Sequence, residues 1–103
     1  YIVSSNQVEF VRVFLQIERI NPNVKLPDGT TPLHIAAKQG FTEIVQLLID
    51  NTKTLINIKD GYGLIPLHLA IKHINTDVVK ILVNCDRVDL EVTVIFYLFF
   101  LIL

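Results

Sequence analysis

At 103 residues, 51% apolar and 18% charged, with a formal net charge of −1, the chain is one small domain or a piece of a longer array. That balance offers no cationic surplus to neutralise phosphates, so nucleic-acid binding has no electrostatic support. The single cysteine, Cys85, excludes an internal disulfide and fits a reducing intracellular setting, cytoplasmic or nuclear. No basic stretch followed by a leader-like apolar run opens the chain, so no secretory signal is read. The start at Tyr1 and the lack of methionine lead us to expect a fragment of a longer protein.

Taken in order, Asn6 to about Arg19 predicts a helix, and Asn21 to Gly29 a loop with a turn at Asp28-Gly29. Thr31 is a natural N-cap, because its hydroxyl can accept from an amide two or three residues on. Pro32 follows where its missing N–H costs nothing and its φ is already helical. Ala36 and Ala37 form helix well and let a second helix approach closely. Gly40 supplies the left-handed stop, giving a helix over about Pro32 to Gln39. Phe41, Ile44, Val45 and Leu48 then fall at helical spacing, with Glu43 in the first turn, where a carboxylate favours the helix dipole.

Asp50 to Thr54 breaks that pattern. Leu55 to Lys59 reads as extended, and Asp60-Gly61-Tyr62-Gly63 as a turn with two flexible φ positions. A further helix pair is predicted over Pro66 to about His73 and Thr76 to about Asn84. From Val92 to Leu103 every residue but Thr93 is apolar. Twelve helical residues would cover roughly 18 Å, short of the ~30 Å core of a bilayer. This tail alone cannot span a membrane, though it could begin a span or pack on the end of the domain.

These elements repeat. Thr31-Pro32-Leu33-His34-Ile35-Ala36-Ala37 returns 34 residues later as Ile65-Pro66-Leu67-His68-Leu69-Ala70-Ile71. The same offset relates Glu9, Glu43 and Asp77, then Val11, Val45 and Val79, and also Phe14, Leu48 and Leu82. A period of this size marks a solenoid, in which one supersecondary unit stacks on the next to make an extended binding surface.

The Thr-Pro-Leu-His-x-Ala-Ala start, the glycine before the second helix and the Val-x-Leu-Leu-type ending resemble the ankyrin repeat family. The likeness covers roughly Asn6 to Glu91. It implies an all-α solenoid of stacked helix-turn-helix units joined by hairpin-like loops, about two and a half repeats long. We divide residues 1–91 into a partial repeat 1–29 and repeats 30–63 and 64–91, leaving 92–103 as a hydrophobic tail. Three departures stand out in the later copy. Ile65 replaces the capping threonine, Ile71 replaces the second alanine, and Ile74 stands where glycine is wanted. Because a β-branched residue resists positive φ, Asn75 is expected to take the left-handed conformation instead.

The resemblance further implies a non-catalytic module that binds a partner protein on a concave face of loop tips and first helices. Those positions fall on Lys25, Pro27, Asp28, Thr30, Lys38, Gln39, Lys59, Tyr62, Leu64, Lys72 and His73. The lysines would make the face mildly basic, so a partner with an acidic surface is expected. Thr31, Pro32, His34, Gly40, Pro66 and His68 are expected to be structural, the histidines hydrogen-bonding loop backbone to tie repeats together. The alternative is the cytosolic repeat region of a membrane channel or transporter, with residues 92–103 starting a membrane segment.

No enzyme chemistry, cofactor or metal is expected. His68 and His73 are five apart, off the i, i+4 spacing that two helical ligands need, and one cysteine makes no zinc site. Ser4, Ser5 and Cys85 have no base at a recognisable spacing. Gly61 and Gly63 lack the strand-then-helix context of a phosphate loop.

Overall fold

The computed structural model describes residues 21–90. They form four helices: α1 (Pro32–Gln39), α2 (Thr42–Asp50), α3 (Pro66–Lys72) and α4 (Thr76–Val83). Among the described residues there is no strand, and no helix is long and apolar enough to cross a membrane. The helix expected over residues 6–19 and the apolar run 92–103 lie outside the described residues.

The start of α1 follows from three side chains. Thr31 is extended, at φ −103° and ψ 167°, and its hydroxyl accepts the His34 amide at 3.4 Å. His34 Nδ1 in turn accepts the Thr31 amide at 3.2 Å, so a histidine completes the reciprocal cap usually made by glutamate or glutamine. Pro32 opens the helix, and Gly40 closes it at φ 76°. In α3 only half of this cap survives. Ile65 has no acceptor to offer, and what remains is the bond from the Ile65 amide to His68 Nδ1 at 3.1 Å. A missing N-cap hydroxyl costs about 0.5–2 kcal/mol.

Two details of the loops differ from the sequence-based expectation. Ile74 itself takes the left-handed conformation, at φ 56°, while Asn75 sits at φ −84°. The reason is the work of the Asn75 amide, which donates to the carbonyls of Ala37 at 2.7 Å and Lys38 at 2.8 Å. These belong to the last turn of α1, whose carbonyls lack helical partners. Moving the left-handed residue to position 75 would swing that amide away, so strain at Ile74 is offset by two bonds across the repeat boundary. In the second loop only Gly63 has positive φ, at 77°. Gly61 is required for a different reason: its N–H donates to the Asp28 carbonyl at 2.7 Å, and a Cβ there would lie 2.6 Å from that oxygen.

The helices pack as two rows. α1 lies against α3 and α2 against α4, while α1 pairs with α2 and α3 with α4 across the short turns. Leu33, Ala36, Ala37, Leu67, Ala70 and Ile71 fill the first row, and Val45, Leu48, Val78, Val79 and Leu82 the second. Ala37 and Ala70 are fully buried, as close helix approach demands. Ile71 is also buried despite its bulk. Each buried leucine of this core contributes about 1.5–3 kcal/mol relative to an exposed one.

Candidate functional site

Backbone and side-chain bonds give each loop tip a fixed shape. In the first loop the Leu26 amide donates to Thr30 O and the Gly29 amide to Leu26 O, each at 2.9 Å. Asp28 Oδ1 accepts the Thr30 amide at 3.0 Å. The Thr30 side chain and then its amide hold the Asp28 carboxyl below the usual aspartate range, which keeps it ionised. In the second loop Asp60 Oδ1 accepts from the Tyr62 amide at 2.9 Å and the Leu64 amide at 3.0 Å. Those two hydrogen bonds set the turn from whose tip Tyr62 projects, 88% exposed.

The second loop is fastened to the first helix by His34, which is fully buried. Its Nε2 lies 2.8 Å from Leu64 O, a group that can only accept, so Nε2 carries the proton. Nδ1 is then the acceptor, taking the Thr31 amide at 3.2 Å and the Thr31 hydroxyl at 2.8 Å. Both ring nitrogens are engaged in the frame. His34 joins repeats and is not poised for acid–base work.

Between the loop tips and the facing sides of α1 and α3 runs an open groove of about 320 Å³. Of the residues expected on the concave face, Asp28, Thr30, Lys38, Tyr62, Leu64, Lys72 and His73 line it together. Lys25, Pro27, Gln39 and Lys59 are exposed but stand outside it. Two further residues line it, Asp60 and Leu69. Leu69 could have been found, since it is three residues before Lys72 and positions i and i+3 share a helical face. Asp60 was accounted for by its turn alone, yet the turn occupies only one of its oxygens.

Sequence reasoning also missed a set of bonds that lock one loop onto the next. The Asn23 amide donates to Lys53 O at 2.8 Å, and Asn23 Oδ1 accepts the Leu55 amide at 2.7 Å. Asn57, 34 positions on, repeats this with Arg87 O at 2.9 Å and the Asp89 amide at 2.8 Å. Identical asparagines at the repeat offset were the available signal. Arg87 adds a third tie, its guanidinium donating to Thr54 O at 2.9 Å and to Ile49 O at the end of α2. A cation there also complements the helix dipole.

Among the described residues no cluster of histidine, cysteine, aspartate or glutamate could hold a metal ion, and Cys85 is half-buried and unpaired. A search of curated proteins returned no match to the chain. A family model for ankyrin repeats, in three copies, matches residues 1–94. With the 34-residue period, the paired helices and the histidine tie between repeats all in place, the chain belongs to the ankyrin repeat family.

Proposed function

We propose that this chain is a non-catalytic module that binds a partner protein in the groove between its loop tips and first helices. Ankyrin repeats are in general protein-interaction modules. The observation that supports this site is the convergence of Tyr62, Leu64, Leu69, Lys38, Lys72 and His73 on one open concavity. Tyr62 is the anchor, because tyrosine offers a large rigid contact area at low entropic cost. The two lysines, one in the last turn of each first helix, favour acidic groups on the partner. Lys25, Pro27, Gln39 and Lys59 extend the contact beyond the groove as its rim. The lone Cys85 supports an intracellular setting.

Affinity capture tests this reading, with wild type compared against Tyr62→Ala and against Lys80→Ala on α4. Partners retained by wild type and by Lys80→Ala but lost with Tyr62→Ala support the groove. Equal capture by all three overturns it. For a partner so identified, Lys38→Glu with Lys72→Glu should weaken binding about tenfold or more, since like charges then face each other. Unchanged affinity removes the acidic-partner reading.

A further inference from the structure

The groove is polarised, and its two walls call for different chemistry in whatever fills it. The loop wall carries Asp28 and Asp60, each with one carboxylate oxygen fastened to its own turn. The helix wall carries Lys38 and Lys72, at the far ends of α1 and α3. Among the described residues no ion pair joins the two walls. Opposite charges thus line one concavity, two on each side, without satisfying one another. Apolar surface for the same occupant comes from Leu64 and Leu69 in the groove and from Tyr62 at the loop tip beside them.

We infer that, if the groove is the partner site proposed above, its occupant is a bipolar segment crossing from loop wall to helix wall. It presents a basic residue to Asp28 and Asp60, an apolar or aromatic side chain to Tyr62, Leu64 and Leu69, and an acidic residue to Lys38 and Lys72. The span sets the spacing. With the start of α1 taken as the foot of the loop wall, Lys38 lies six residues beyond Pro32, roughly 9 Å of helical rise. An extended chain advances ~3.3–3.6 Å per residue, so the two charges stand about two to four residues apart. A purely acidic segment would leave the loop carboxylates facing like charge, which disfavours it. This narrows the acidic partner to one whose acidic residue has a basic neighbour at fixed distance.

Selection from a displayed library of random linear peptides on the full chain is the test. Three variants are panned in parallel: Asp28→Asn with Asp60→Asn, Lys38→Gln with Lys72→Gln, and Tyr62→Ala with Leu69→Ala. The asparagines keep the oxygen that each turn needs, and far-UV circular dichroism matching wild type checks that every variant is folded. Wild type should enrich peptides with a basic and an acidic residue two to four apart around an apolar one. The asparagine pair should lose the basic preference alone, the glutamine pair the acidic preference alone. A selected peptide should bind each charge variant roughly two- to fivefold more weakly, the range expected of exposed ion pairs. Enrichment of acidic residues alone, or a basic preference that survives the asparagine pair, overturns the bipolar segment while leaving the groove as a binding site. Identical selection by the variant lacking Tyr62 and Leu69, or none by wild type, overturns both.

Discussion

Ile74 shows how a single residue records a conflict between local and long-range demands. It is left-handed at φ 56° and 66% exposed, so neither its backbone nor its side chain gains from the position. Ile74→Gly should therefore raise stability by about 0.5–1 kcal/mol, the relief of strain exceeding the added freedom of glycine in the unfolded chain. Urea denaturation measures it; a lower midpoint would mean that Ile74 makes a contact worth more than its strain. Thr54 is the second such residue. It is 2% exposed, and its hydroxyl has no hydrogen-bond partner among the described residues. Its counterparts one repeat away, Ile20 and Val88, are both apolar. Thr54→Val keeps the shape and removes the buried polar atom, and should stabilise by about 1 kcal/mol on the same assay.

Each helix pair is short, seven to nine residues per helix, and helices of that length are marginal alone. What holds one pair in register with the next is a set of bonds crossing the boundary: His34 to Leu64, Asn75 to α1, and Gly61 to Asp28. His34→Ala removes the first of these, orphaning the Thr31 amide and leaving the Leu64 carbonyl only its bond from the Asp60 amide within the same loop. At about 1–3 kcal/mol for an orphaned buried group, plus lost packing, the expected cost is roughly 2–4 kcal/mol. Faster amide exchange at Ile65 and Leu67 than at Val45 would place the damage at the boundary. Equal acceleration throughout would show that the tie serves the whole domain alike.

Across the whole molecule, a solenoid gains stability from neighbours, because each repeat buries one face only against the next. The described pairs share one continuous core, and Leu26, Ile35 and Leu90 remain exposed beside it. Stacks of this kind need polar end units to stand alone. The monomeric 1–103 chain should accordingly unfold over a broad range and tend to aggregate, as scanning calorimetry with light scattering would register. A sharp, reversible transition would contradict this.

The local rules reached far in this chain because the repeat is written in local terms. Thr31, Pro32 and Gly40 delimit α1, and the apolar spacing of Val45 and Leu48 turns α2 inward; the structure has both helices where those residues place them. The offset of 34 then carried the same reading to a copy too degenerate to stand alone. The choice between Ile74 and Asn75 lay outside that reach, because it depends on where the α1 carbonyls stand, 37 and 38 residues away. So did the pairing of Asn23, Asn57 and Arg87 with their loops, and the meeting of Asp60 and Leu69 in one groove. Capping, turns and periodicity act within a few residues and are legible in sequence. The direction in which one repeat offers its carbonyls, charges and apolar surface to the next exists only once the two have stacked.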